Sequence, residues 1–320
     1  MRVKALAVVT AMLLLLSGCS GVSPTESTAD EPEPTPQESP TEQDAGTADA
    51  AYTQTPHTGC QPGAVKKDGT CQAVTADSNA DIFSAQNLRP ITTENTTING
   101  TQGYLARPAA DGDYPSVIMI HEWWGLNQNI RHMADILAGQ GYVVFAVDLY
   151  GGRVAGNSSY AAELSGEVRE NPDEAVQKMH RATAGVRDLS FTTTQVASLG
   201  WCFGGGQSLQ LSLSDTNLNS TVIYYGTLTT DRTTLQQIDE PVLGIFGSED
   251  QVVGIENIRE FNQTLGELGI QREIYVYEGA RHAFANPSGE SFQPEATRDA
   301  WNKTLRFLNS TLRTQSDSNG

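Results

Sequence analysis

The sequence predicts an α/β fold over residues 81–320, with a mostly parallel central sheet and helices on both faces. Three observations carry that expectation. Beyond about residue 90, short β-branched and apolar runs alternate with stretches of helical period, the pattern of successive strand-helix units. Several runs are continuously apolar rather than alternating, as strands covered on both faces are. The roughly 230 residues involved suffice for one large domain.

Taken in order, Ile98 to Arg107 reads as an antiparallel entry strand or hairpin, and Ser116 to Ile120 as a buried strand. Asn127 is placed to cap a helix that carries Ile130, Met133, Ala134 and Leu137 on one face and stops near Gly139 and Gly141. Tyr142 to Val147 is the next strand. Asn171-Pro172-Asp173-Glu174 reads as a helix start, with a cap, a proline in the first turn and acids at the positive end of the dipole. Val176, Met179 and Val186 continue its buried stripe. Gln195–Leu199, Thr221–Tyr225, Val242–Phe246 and Glu273–Tyr277 are further strands, with helices over Gln207–Leu213, Ile255–Leu268 and Thr297–Leu308. In such sheets ligands bind at the carboxyl ends of the strands.

The first 80 residues differ in kind. Arg2 and Lys4 precede a mostly apolar run from Ala5 to Leu16, and small residues follow, which describes a secretory signal. The run falls short of the about 20 apolar residues that a spanning helix needs. Leu16-Ser17-Gly18-Cys19 resembles the lipobox of prokaryotic lipoproteins, whose cysteine carries the lipid. Residues 1–19 are therefore expected to be a lipoprotein signal, and the mature chain to be exported and anchored to the outer face of the cytoplasmic membrane. Residues 20–80 are expected to form a disordered acidic linker. Eight acids lie between Glu26 and Asp49 with no Lys or Arg among them. Such a segment cannot bury enough apolar surface to offset its ordering entropy.

Cys60 and Cys71 bracket a short loop in this linker and read as a disulfide in an exported chain. Metal binding is the rival, but two ligands are too few for a zinc site. The net charge of −18 argues against nucleic acid or anionic lipid as a partner. Contact with the membrane is expected through the anchor only, and no cofactor or metal is expected. The composition leaves the oligomeric state open. Cys202 remains as an unpaired thiol, which in a secreted protein is either buried and inert or reactive.

Its surroundings point to reactivity. Gly200-Trp201-Cys202-Phe203-Gly204-Gly205-Gly206 follows one strand and opens a helix. The pattern Gly-x-nucleophile-x-Gly builds a sharp turn that lifts the nucleophile above a sheet, and the helix N-terminus favours a thiolate and a developing oxyanion. Asp250 comes next, in Gly247-Ser248-Glu249-Asp250 just past a strand, and His282 follows in a loop after the last strand. The order nucleophile, acid, histidine is the one used by folds with this elbow. Asp250 would orient the imidazole and His282 would move the proton, with Glu249 a competitor for the acid's role. The loop His121-Glu122-Trp123-Trp124-Gly125 follows the strand Ser116 to Ile120. It is expected to supply an oxyanion-hole amide from Trp123, beside that of Phe203. Glu122 is expected to face the pocket beside Cys202.

These motifs, together with Asp148-Leu149-Tyr150-Gly151-Gly152, Tyr224-Tyr225-Gly226 and Arg281-His282-Ala283-Phe284, resemble the dienelactone hydrolase family from about residue 90 to the C-terminus. The resemblance implies an α/β-hydrolase fold, a Cys-His-Asp triad and no metal. It also implies that Glu122 holds the resting thiol and helps to generate the thiolate. The expected function is cleavage of a small ester or lactone through a thioester acyl-enzyme. The alternative is a non-catalytic surface lipoprotein that uses the fold as a binding module. The family's namesake activity uses arginines to hold a substrate carboxylate. Arg153 stands one place later than the first, and Asn286 stands where the second would lie. Arg153, Tyr225 and Arg281 are the candidate substrate-binding residues.

Overall fold

The computed structural model describes the backbone of residues 64–67 and 70–73, then Phe83, residues 88–214 and residues 217–313. Strands β1 (Ala64–Lys67) and β2 (Thr70–Ala73) pair antiparallel, with Lys67 opposite Thr70. Asp68-Gly69 between them is a favoured sequence for a two-residue hairpin turn. This stretch lies within residues 20–80, most of which are outside the described residues. Cys19 and Cys60 lie outside the described residues. So does the expected Cys60–Cys71 bond, although the backbone of Cys71 is part of β2.

The main sheet has eight strands. They are β3 (Ile91–Ile98), β4 (Thr101–Pro108), β5 (Tyr114–Ile120), β6 (Val143–Val147), β7 (Thr192–Trp201), β8 (Ser220–Tyr224), β9 (Val242–Gly247) and β10 (Arg272–Tyr277). Their order across the sheet is β10-β9-β8-β7-β5-β6-β4-β3. β4 pairs antiparallel with β3 and with β6, and every other pairing is parallel. The entry hairpin is therefore longer than expected. It turns at Asn99 and Gly100, both at positive φ, as a tight two-residue hairpin turn requires.

Among the described residues the helices are α1 (Gln128–Gly139), α2 (Ser158–Glu170), α3 (Pro172–Arg187), α4 (Phe203–Ser212), α5 (Arg232–Leu235), α6 (Ile255–Glu267) and, after the last strand, α7 (Pro294–Leu312). Successive residues of β5 serve opposite faces of the sheet. Val117 and Met119 join one apolar cluster with α1 and α7, whereas Ile118 and Ile120 join a second with α2 and α3. All four are fully buried, each side chain contributing about 1.5–3 kcal/mol. Phe83, ahead of the sheet, is 2 % exposed and meets the ring of Trp301 edge-on at 5.5 Å.

Asn127 caps α1 as expected, its Oδ1 accepting from the Ile130 N–H at 3.2 Å. Asn171 does not cap α3 through its side chain. Its Nδ2 donates back to the Glu167 carbonyl of α2 at 3.2 Å, and its side chain accepts no cap hydrogen bond from α3.

Candidate active site

Cys202 sits between the end of β7 and the first residue of α4, with φ 55° and ψ −117°. Such backbone costs a non-glycine residue on the order of 1–3 kcal/mol. The surroundings hold it there from both sides: its N–H donates to the Tyr224 carbonyl at 3.0 Å, and its carbonyl accepts from the Gly206 N–H at 3.2 Å. The turn closes only because neighbouring positions lack a side chain. A Cβ on Gly200 would lie 2.1 Å from the Gly204 carbonyl oxygen, and one on Gly204 would lie 2.3 Å from that of Ile120.

The loops after β9 and β10 bring the acid and the histidine to this elbow. His282 Nε2 lies 3.2 Å from Cys202 Sγ, and Nδ1 lies 2.9 Å from Asp250 Oδ2. A carboxylate only accepts, so Nδ1 carries the proton and Nε2 faces the sulfur. The other carboxylate oxygen of Asp250 accepts from the N–H groups of Val252 and Val253 at 2.8 and 3.1 Å. Asp250 is buried while Glu249 is exposed, which removes Glu249 as a competitor. Burial opposes charge on both members of the pair, and their mutual hydrogen bond overrides it. Asp250 is held below the usual carboxylate range, and His282, also facing Cys202, is pushed up to about 10.

Trp123 follows β5, and Phe203 is the first residue of α4. Among the described residues neither N–H makes a backbone hydrogen bond. For Phe203 this follows from its place in the first helical turn, where amides have no partner within the helix.

Glu122 departs from expectation. It is 3 % exposed, and its carboxylate accepts from Asn286 Nδ2 at 2.5 Å rather than meeting the thiol. It lines a small pocket with Asn129, Met133, Trp201, Tyr225 and Asn286. Burial, only partly offset by His282 and Asn286, pushes its pKa up to about 7.

Tyr225 departs further. It is 1 % exposed and its hydroxyl, without a partner among the described residues, belongs to the same pocket. It touches His282 edge-on at 5.3 Å between ring centroids. β8 ends at Tyr224 and Tyr225 has φ 36°, so strand alternation no longer governs its direction and the ring turns inward.

Arg153 is not presented as a clamp. Both of its terminal nitrogens bond Glu167 of α2, at 3.0 and 2.5 Å, and its Nε donates to the Tyr150 carbonyl. Arg281 is exposed in the loop just before His282. The contacts of His121 and Asn286 are not legible in the sequence. His121 is fully buried, with hydrogen bonds to the Glu122 carbonyl and the Leu149 N–H, and Asn286 is the partner of Glu122. In the sequence the one signal for Asn286 is its loop position after the histidine motif.

The sheet order, the strained cysteine at the strand-to-helix bend and the histidine and acid on later loops define an α/β-hydrolase. The sequence profile of the dienelactone hydrolase family matches residues 101–312. The chain belongs to that family, whose members hydrolyse esters and lactones. Protein usf of Aquifex pyrophilus is 31 % identical over 214 residues, 65 % of this chain and 92 % of the relative. An Aquifex aeolicus protein provisionally named carboxymethylenebutenolidase is 28 % identical over 219 residues, covering 66 % and 94 %. A dienelactone hydrolase-like promiscuous phosphotriesterase from metagenomic libraries shares the fold with a TM-score of 0.65 at 19 % identity, over 70 % of this chain and 99 % of its own.

Proposed function

We propose that this hydrolase cleaves a small ester or lactone through a thioester acyl-enzyme, with Cys202, His282 and Asp250 as its triad. The observation that carries the reading is the unbroken line from Cys202 Sγ to His282 Nε2 at 3.2 Å and from Nδ1 to Asp250 at 2.9 Å. The thiolate is the nucleophile. It attacks the carbonyl carbon, and the new C–S bond leaves the former carbonyl oxygen negatively charged, facing the N–H groups of Trp123 and Phe203. Collapse of this adduct breaks the C–O bond, and the imidazolium gives its proton to the departing alkoxide. Water then attacks the thioester, its proton passes to Nε2, and release of the acid returns the thiolate. Asp250 keeps the imidazole in one tautomer throughout. In a lactone the departing oxygen stays on the acyl chain, so the product is a hydroxy acid or its keto tautomer.

Arg153 is engaged by Glu167 and Asn286 by Glu122, so neither position offers a free guanidinium to a substrate carboxylate. Neutral esters and lactones fit better. In this reading the domain is displayed outside the cytoplasmic membrane by a lipid on Cys19 and an acidic tether. Radiolabelled fatty acid should enter the full chain and fail to enter Cys19→Ala.

The deciding measurement is hydrolysis of p-nitrophenyl acetate by the wild-type chain and by Cys202→Ala. Turnover should vanish in the variant, and a transient thioester should be trapped on Cys202 by mass spectrometry. Unchanged turnover in Cys202→Ala overturns the assignment.

A further inference from the structure

The loop that follows β5 carries a device that the triad does not use. His121 is the first residue beyond the strand, has no exposure, and lies between two aromatic rings. Tyr150 meets it edge-on at 4.6 Å, and Phe203 stacks on it at 5.9 Å with 19° between the planes. Its Nδ1 is 2.7 Å from the Glu122 carbonyl oxygen, and its Nε2 is 3.3 Å from the Leu149 amide nitrogen. These neighbours fix its protonation state without ambiguity. A carbonyl can only accept, so Nδ1 donates, and an amide N–H can only donate, so Nε2 accepts. His121 is therefore a neutral imidazole tying the β5 loop to the loop after β6.

The carbonyl it holds belongs to a particular peptide unit. The Glu122 C=O and the Trp123 N–H are the two polar ends of one planar group, and in a trans peptide they point in opposite directions. Whatever fixes the carbonyl aims the N–H. Two donors fix it here, the His121 ring and the Gly125 N–H at 3.1 Å. The next carbonyl, that of Trp123, accepts from the Tyr150 hydroxyl at 3.2 Å. Donation to the carbonyl also polarises the N–H at the far end of the same unit, since chained hydrogen bonds strengthen one another.

Resting on the mechanism proposed above, we propose that His121 is a positioning residue for the oxyanion step. It aims and polarises the Trp123 amide through their shared peptide while packing against Phe203, the residue that supplies the second amide. It never touches substrate. Its contribution should appear only when negative charge develops on a carbonyl oxygen.

That condition gives the test. Ester cleavage by Cys202 passes through an oxyanion, whereas alkylation of Cys202 by iodoacetamide is a displacement at a saturated carbon and does not. His121→Gln places an amide near the position of Nε2 and loses the donor to Glu122, while His121→Asn retains a donor near the position of Nδ1. Removing a whole oxyanion donor costs about 10²–10³ in kcat. Misaiming one in His121→Gln should therefore lower kcat/KM for p-nitrophenyl acetate by about 10- to 100-fold, with the second-order alkylation rate unchanged. His121→Asn should stay within about fivefold of wild type, since it keeps the hydrogen bond to the carbonyl. Equal loss of both rates in His121→Gln, loss of neither, or a His121→Asn variant no better than His121→Gln overturns the proposal. Should His121→Gln fail to fold, His121→Asn alone decides, because a fall in its esterase rate to the same 10- to 100-fold deficit also overturns it. A wild-type chain inert to both reagents would instead refute the mechanism on which the proposal rests.

Discussion

Two carboxylates flank the catalytic elbow, and they are held in opposite ways. Asp250 lies beneath His282, with a ring N–H and two backbone amides as donors. Glu122 lines a small pocket with Trp201 and Tyr225 and accepts from the neutral amide of Asn286 at 2.5 Å. Both are buried. Asp250 is nonetheless held below the usual range and Glu122 raised to about 7, so the surroundings rather than burial alone set the charge. Desolvation disfavours both anions, and both feel His282; Asp250, hydrogen-bonded to that ring and to two backbone amides, overcomes the penalty, whereas Glu122 does not. One site keeps a fixed charge, and the other sits at the edge of losing it near neutral pH.

Breaking the charged half should have the largest effect. Asp250→Asn keeps the shape but permits the wrong imidazole tautomer, and kcat for an aryl ester should fall on the order of 10³–10⁴. Stopped-flow acylation would show it, and a smaller loss than tenfold would mean that Asp250 does not orient the ring.

The neutral half can be sharpened through pH. The folded-state pKa of Glu122 is raised from 4.5 to about 7, so the native state holds the proton more tightly than the unfolded chain. Stability linked to it is full below pH 4.5 and is lost as pH rises to about 7. For His282, raised from 6.5 to about 10, the linked stability is full below 6.5 and is lost as pH rises to about 10. Glu122→Gln should therefore flatten the lower window and leave the upper one. It should raise stability at pH 8 on the order of 1–3 kcal/mol relative to wild type. Urea melts at pH 4.5, 7 and 8 would measure this, and an undiminished slope below pH 7 would show that Glu122 is not the group titrating there.

The smallest effect belongs to Arg153. Its pair with Glu167 is nearly half exposed on both sides, and exposed pairs contribute about 0–1 kcal/mol. Arg153→Ala should leave both the melting curve and the KM for a neutral ester close to wild type. A large rise in KM would return Arg153 to the substrate site.

The same contrast explains what the sequence could and could not reveal. Buried parallel strands such as β5 and β6 announce themselves as unbroken apolar runs, and the elbow declares itself through glycines that no other residue could replace. Asp250 and His282 were legible because each follows a strand in a fixed chain order. α2 was missed because Ala161, Leu164, Ser165 and Val168 are its only buried residues, a stripe too thin to stand out. α5, at four residues, has no period to detect. The pocket around Glu122 was illegible for a different reason. Asn286 reaches Glu122 across 164 positions, and the inward turn of Tyr225 depends on one backbone angle just past the end of a strand. Local patterns report which face a residue prefers, but not which distant group completes its hydrogen bonds.

The clasp between Phe83 and Trp301 bears on how a shortened protein should be made. A recombinant fragment begun at residue 88, just ahead of the first strand of the large sheet, would discard a ring that the last helix closes over. The freshly wetted indole would be left as a sticky spot, inviting aggregation in the test tube. Cutting instead ahead of residue 80 keeps the aromatic latch, so the soluble enzyme is best sought among the longer fragments.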